Sequence, residues 1–397
     1  MRQDRQGFLV QAATDRLANM TVKKNMKRKI LLGVFLAMAV MLVGGISATA
    51  TRGDSPHHVG PVAAPRSLAP AGALSNTVFL PVVTRRMPTE IGAFVDASPP
   101  TATPVTQFEG LIKRHLGSVM WYQGWGSSGQ PDWPTSELNS ALYHDGYNTH
   151  IILHLTWEPW VDLKDIANGA YDSYLTRYAA EVKAWGETIR LRFAHEMIQD
   201  NVKDNCQGGQ TGCPEWYPWQ DQPDDYKAAF RHAHDVFRAA GATNVEWVWC
   251  PNNYPFDVNI VKLYYPGPDY VDWLCMDGYN WTNRDGKPGW PDWQWFDDIF
   301  YNIYHTFVDH ADIFGEKPVM IGEFASCEAG PSDQPGETKA AWIQNALERF
   351  KSQDYSRLQA FYWFQTNKEC DWRVNSSSAS LAAFRAAVGD PSFGSHP

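Results

Sequence analysis

From about residue 88 onward, short apolar runs and amphipathic runs take turns, and this alternation constrains the fold more than any other feature. The strand candidates are Ile91–Ala97, Ser118–Trp125, Thr149–Trp157, Thr188–His195, Asn244–Cys250, Val271–Tyr279, Val319–Phe324 and Leu358–Phe364. The helix candidates between them are Val105–Leu116, Ser136–Asp145, Asp172–Trp185, Asp224–Ala240, Trp295–Ala311, Glu337–Ser352 and Ser378–Val388, with a weaker one at Phe256–Tyr264. Alternating strands and helices imply a parallel sheet. Eight such units imply a closed (β/α)8 TIM barrel as a single α/β catalytic domain over residues 88–397. An open dinucleotide-binding sheet is disfavoured because no G-x-G-x-x-G follows the first strand.

A barrel of this kind displays its chemistry at the C-terminal ends of its strands. Those ends carry Trp121-Tyr122-Gln123, Trp157-Glu158-Pro159-Trp160, His195-Glu196, Pro251-Asn252-Asn253, Asp277-Gly278-Tyr279-Asn280-Trp281, Glu323 and Trp363-Phe364-Gln365. Two of the strands, Thr188–His195 and Val319–Phe324, deliver a lone glutamate. A pair of carboxylates, one protonated and one ionised, is what glycosidic bond cleavage needs. Strict strand alternation sets Glu196 in phase with Arg192 and Glu323 in phase with Ile321. Glu158 is a third strand-end carboxylate and the rival for a catalytic role. Arg192, lower on its strand, is expected to pair with a buried carboxylate.

The remaining composition narrows the partners. Net charge is −10, which argues against nucleic acid, because phosphate binding needs a basic face. Aromatics make up 14% of the chain, and many tryptophans sit beside Gly, Pro, Asp and Asn, where exposed rings suit the apolar faces of sugars. No C-x-x-C spacing occurs, and His150 and His154 lack a third ligand, so neither a metal nor a cofactor is expected. Lys23, Lys24, Lys27, Arg28 and Lys29 precede an apolar run from Ile30 to Ile46, and Ala48-Thr49-Ala50 fits a cleavage site. Residues 1–50 therefore read as a signal peptide or signal anchor, and 51–87 as a Pro/Ala-rich linker. The expectation is a secreted monomer whose partner is a polysaccharide, with no membrane insertion beyond the N-terminal signal. Cys206 and Cys213 lie in one short loop and are expected to be disulfide-bonded. Cys327 and Cys370 could pair, and Cys250 and Cys275 read as free buried thiols.

The motif Arg192-x-x-His195-Glu196-Met197 resembles the acid/base motif of glycoside hydrolase family 26, in which His stands where most retaining (β/α)8 glycosidases of the clan carry Asn. Lys317-Pro318…Gly322-Glu323 resembles the nucleophile strand of that family, and Asp277-Gly278-Tyr279 and Trp363 match its sixth- and eighth-strand positions. Thr156-Trp157-Glu158-Pro159-Trp160 resembles bacterial members. After Met197 the sequence departs from the family pattern. An insertion carrying Cys206 and Cys213 intervenes before a delayed aromatic element, Trp216-Tyr217-Pro218-Trp219. The resemblance implies Glu196 as acid/base and Glu323 as nucleophile, with Tyr279 bonded to the nucleophile and Trp363 flooring the sugar at the cleavage point. His195, Trp157, Trp216 and Trp281 are the further expected substrate contacts. It implies an endo-acting retaining hydrolase of β-1,4-mannan. The alternatives are a β-1,3/1,4-glucanase, a β-1,3-xylanase, or a non-catalytic polysaccharide-binding barrel.

Overall fold

The computed structural model describes residues 87–142, 151–198, 217–254, 257–282, 292–330 and 333–394. The N-terminal segment, nearly all of the linker, the Cys206–Cys213 pairing and Trp216 lie outside them.

Eight strands close into a barrel: β1 (Thr89–Phe94), β2 (Ser118–Gly126), β3 (Ile152–Trp160), β4 (Ile189–Phe193), β5 (Val245–Trp249), β6 (Trp273–Asn280), β7 (Val319–Ser326) and β8 (Leu358–Phe364). Each pairs in parallel with its sequence neighbours, and β1 closes the ring by pairing with both β2 and β8. The helices between them are α1 (Ala102–Ile112), α2 (Thr135–Leu142), α3 (Leu163–Ala167), α4 (Asp172–Trp185), α5 (Pro223–Ala240), α6 (Val258–Val261), α7 (Phe296–Val308), α8 (Ala311–Phe314), α9 (Lys339–Arg349) and α10 (Ser378–Val388). The chain is thus a (β/α)8 TIM barrel. A short strand β9 (Phe393–Gly394) pairs with the start of β1, where β2 does not reach.

Local sequence explains the outer layer. In α5, Pro223 opens the helix, Asp224 and Asp225 sit at its positive N-terminal end, and Arg238 sits in its last turn. Gly241 ends it at φ 78°, a left-handed conformation that glycine adopts at little cost. Tyr226, Ala229, Phe230, Ala233 and Phe237 recur at helical spacing and are all buried against the barrel.

Polar side chains fill the barrel interior in layers. Near the bottom, Arg190 donates to both oxygens of Glu90, at 2.6 and 3.1 Å, and to the Tyr362 hydroxyl at 2.9 Å. Arg192 lies two residues further along β4, nearer the catalytic end, and is fully buried.

Three departures from regular geometry matter for the site. First, β2 and β3 stay paired over nine residues, from Ser118 opposite Ile152 to Gly126 opposite Trp160, so β3 runs past its expected end at Trp157. Second, β4 stops at Phe193, two residues before the expected end. Third, the β6–β7 register slips between Met276 and Asp277, so that Met276 faces Ile321 while Asp277 faces Glu323.

The cysteines are a correction. Cys250 and Cys275 are not free thiols. Cys250, just after β5, is disulfide-bonded to Cys275 within β6, with Cα atoms 4.2 Å apart. Cys327 and Cys370 are also bonded, tying the end of β7 to the loop after β8.

Candidate active site

Glu323 sits at the centre of a ring of donors. Tyr122 donates its hydroxyl to Oε1 at 2.6 Å, and Arg192 Nη2 donates to the same oxygen at 2.8 Å. The Tyr279 hydroxyl donates to Oε2. His195 Nε2 stands 3.7 Å from Oε1. The register slip explains how Glu323 comes to face the axis. A Cβ built on Gly322 would lie 2.7 Å from Arg192 Nη1 and 2.6 Å from Asp277 Oδ1, so position 322 also points inward. Consecutive residues of a regular strand point to opposite faces. A bulge allows two residues to oppose one, and here both Gly322 and Glu323 face the axis. Simple phase with Ile321 therefore does not describe how Glu323 is aimed.

Glu196 arrives by a different route. Beyond the end of β4 the backbone turns through two left-handed residues, Ala194 at φ 48° and Glu196 at φ 52°. Such non-glycine conformations cost about 1–3 kcal/mol each and persist only where surroundings hold them. Here they are held on four sides. Ala194 N–H donates to the Trp157 carbonyl at 3.0 Å, and Glu196 N–H to the Cys250 carbonyl at 2.9 Å. The carbonyl of His195 accepts from Trp219 Nε1 at 2.6 Å, and that of Glu196 from Gln220 Nε2 at 2.8 Å.

Carboxylate oxygens of Glu196, Glu323 and Asp277 lie within 4.8 Å of one another. Asp277 is held by Arg192 Nη1, at 2.8 and 2.7 Å to its two oxygens. Arg192 thus pairs with buried carboxylates, and it neutralises part of a cluster that would otherwise repel itself.

The environment drives the two glutamates apart. Burial pushes the Glu196 carboxyl well above the usual carboxylate range, and the adjacent Glu323 charge pushes it further. Burial also pushes Glu323 up, but the Arg192 guanidinium and the Tyr122 and Tyr279 hydroxyls outweigh it and hold Glu323 well below that range. One carboxyl keeps its proton while its neighbour is ionised. His195 is buried and sits beside Arg192, which together push it down to about 3 against the pull of Glu323. It is therefore a neutral imidazole. Glu158 is half-buried; burial raises it to about 6, opposed by a hydrogen bond with Trp160.

Comparison with known proteins bears on the family and the fold. The family model for glycosyl hydrolase family 26 matches residues 210–351. Endoglucanase H of Acetivibrio thermocellus is 37% identical over 316 residues, which is 76% of this chain and 30% of that protein. The chain therefore spans under a third of that relative's length. The domain belongs to glycoside hydrolase family 26. Among solved structures, the catalytic domain of a Bacillus family 26 endo-β-1,4-mannanase superposes with a TM-score of 0.56 at 16% identity, over 78% of this chain and 87% of that one. A modular endo-β-1,4-mannanase from Cellulomonas fimi gives a TM-score of 0.54 at 15% identity, over 77% and 71%. Likeness at that identity speaks for the fold alone.

Within this family 26 domain, Glu196, Glu323, His195 and Tyr279 converge at one place. Trp281 packs against Tyr279 at 5.6 Å, on the rim beside them. Two expected sugar contacts are corrected. Trp157 is fully buried and stacks on Tyr178 of α4 at 4.9 Å. Trp363 is fully buried against Phe384 of α10 at 5.1 Å. Both occupy the outward phase of their strands and pack between barrel and helices. The inward neighbours are Glu158 on β3 and Phe364 on β8. Phe364 faces Tyr279 at 5.6 Å and Tyr122 at 6.4 Å. Sequence reasoning gave Tyr122 and Asp277 no role of their own beside the glutamates. Tyr122 was legible in principle, because it shares strand phase with Met120, whose Sδ lies 3.4 Å from Arg192 Nη2.

Proposed function

We propose that this domain cleaves internal β-glycosidic bonds of a neutral β-glucan by double displacement with retention of configuration. The observation that carries this reading is the close, chemically unequal pair, Glu196 and Glu323. Carboxylates about 5 Å apart suit a retaining mechanism, whereas an inverting one needs about 6.5–9.5 Å to admit water.

Glu323 attacks the anomeric carbon. Its donors hold it ionised and aim it, since both oxygens are already engaged. Glu196 donates its proton to the departing glycosidic oxygen, leaving a glycosyl ester on Glu323. The lost Glu323 charge then lowers the proton affinity of Glu196, which is now ionised and takes a proton from water as that water attacks the anomeric carbon and Glu323 leaves as a carboxylate. The Tyr279 hydroxyl and Arg192 keep the nucleophile oriented through both steps.

Glucan as substrate is supported by the 37% identity to a protein named Endoglucanase H, against 14–16% to proteins named as mannanases. β-1,4-Mannan, which the motif resemblance implies, is the second reading. The basic-then-apolar N-terminal run supports export, which fits a polymeric substrate outside the cell.

Reducing-sugar release from purified mixed-linkage glucan, galactomannan, mannan and xylans tests this. The expected result is the highest specific activity on glucan with retained anomeric configuration in the first product seen by NMR. Highest activity on mannan would move the substrate to the second reading. An inverted first product would overturn the mechanism.

A further inference from the structure

Beyond the catalytic centre, β2 and β3 remain paired above the barrel rim, and this projecting ribbon is unusual in what it displays. Gly124 lies opposite Glu158, and Gly126 opposite Trp160. Among the described residues Trp160 is the one exposed tryptophan, 47% accessible. A cavity of about 460 Å³ opens beside it, lined also by Gly124, Ser128, Gly129, Gln130 and Pro131. That volume falls in the range of roughly 300–1,000 Å³ typical of small-ligand sites.

The ribbon is joined to the catalytic centre by a row of rings. Tyr217 and Trp219 stack face to face at 4.6 Å, and Tyr217 lies 4.9 Å from the His195 ring. Trp160 continues the row, 5.4 Å from Trp219 and 6.0 Å from Tyr217. Glu158 projects into the same region. Its Oε2 would be 3.8 Å from a Cβ placed on Gly124, and its charge is felt by both Glu196 and Glu323. Position 124 tolerates no side chain without movement, because that Cβ would meet Trp160 Nε1 at 3.0 Å and Cδ1 at 3.1 Å.

We propose that Gly124, Glu158 and Trp160 form a sugar subsite flanking the cleavage point, which takes a neutral backbone pyranose of the β-glycan and sets the preferred chain length. This rests on the reading of the domain as a β-glycan hydrolase. An exposed indole offers a flat apolar face for the C–H side of a pyranose. A carboxylate beside it accepts hydrogen bonds from sugar hydroxyls, and charge-assisted bonds of this kind are the stronger ones. The bare backbone at Gly124 leaves room for the Trp160 indole to lie beside the carboxylate. The same carboxylate, close to Glu196 and Glu323, repels an acidic sugar, so uronic acid units are excluded there. Glu158 is then a binding residue and not a spare nucleophile.

The test is kcat/KM for the full chain on β-gluco- and β-manno-oligosaccharides of increasing length, comparing wild type with Trp160→Ala and Glu158→Gln. Wild-type kcat/KM should climb as the chain grows long enough to reach the ribbon. In Trp160→Ala that climb should flatten, with a loss of roughly tenfold on the longer oligosaccharides, the scale of a lost aromatic contact. Glu158→Gln keeps the volume of the side chain and should show the same length-dependent loss, so it decides the matter if Trp160→Ala fails to fold. An equal fractional loss at every length, or no loss at any length, in the folded variants would overturn the subsite while leaving the hydrolase reading intact. Absence of wild-type turnover on every oligosaccharide and polysaccharide would overturn both.

Discussion

Replacing Glu323 by Gln should lower the proton affinity of Glu196 by a measurable and calculable amount. The change swaps a carboxylate for a neutral amide of nearly equal size and leaves Glu196 itself untouched. In the wild-type enzyme an oxygen of each residue lies within 4.8 Å of the other. Two unit charges at that distance repel by about 3.5 kcal/mol with an effective dielectric constant of about 20. At about 1.36 kcal/mol per unit, that corresponds to about 2.5 pK units. The sign is fixed: removing a neighbouring negative charge favours ionised Glu196, so its pKa falls. Burial remains in the variant and keeps the value from dropping below the ordinary glutamate range.

The assay is a carbon-13 NMR titration of protein labelled at the glutamate carboxyl carbon, with the Glu196 resonance assigned by its loss in Glu196→Gln. The wild-type resonance should titrate well above the usual carboxylate range, and the Glu323→Gln resonance about two units lower. If the two titrate together, the charge of Glu323 does not hold the proton on Glu196. The division of labour between the two carboxyls would then need another cause.

Other expectations follow from the same geometry. Glu196→Ala should lose activity on polysaccharide by several orders of magnitude. On an aryl glycoside with a good leaving group it should show a burst and then stall, with azide giving a β-glycosyl azide; an α-azide would refute Glu196 as acid/base of a retaining enzyme. Tyr279→Phe removes a donor that favours ionised Glu323, so the acidic limb of the kcat/KM–pH profile should move to higher pH, and an unmoved limb would deny that role. Gly322→Ala forces a methyl to within 2.7 Å of Arg192 Nη1 and of Cys275 Sγ. It should cost about 1–3 kcal/mol of stability in denaturant unfolding and depress kcat; a variant as stable and active as wild type would mean that the bulge does not constrain the network.

The barrel was legible because its signal is periodic and repeated: each strand and helix announces itself by apolar spacing, and the closing topology then follows. That Glu196 and Glu323 come together was legible because each follows an apolar strand, and the strand ends of a barrel converge on one face. What the sequence hid was phase near the rim. Trp157 and Trp363 look like cleft residues when read as strand-end tryptophans, but each is one residue out of phase with an inward neighbour, Glu158 or Phe364. The Cys250–Cys275 bond was hidden for a related reason. Adjacency of β5 and β6 follows from the barrel, but whether two cysteines on them meet depends on register, which no local pattern encodes.

Glu196 and Glu323 both reach the cleft through a break in regular backbone, Glu323 through the bulge at Gly322 and Glu196 through the left-handed turn after Phe193. Chemically they are the same side chain, so their different roles must come from the surroundings. Arg192 makes most of the difference. It donates at 2.8 Å to Glu323 and closes on Asp277 with its other terminal nitrogen, while among the described residues no such bond joins it to Glu196. A cation in contact favours the ionised form of Glu323 strongly, and acts on Glu196 only through space, where burial and the Glu323 charge outweigh it. Asp277 adds a second function. By engaging Nη1, together with Thr156 Oγ1, which accepts from Nε and Nη2, it fixes the guanidinium plane, so that Nη2 is directed at Glu323 and not at Glu196. The proposed division into nucleophile and acid therefore rests on where one buried arginine points, and Arg192 is itself placed by the regular part of β4, below the level at which the backbone becomes irregular.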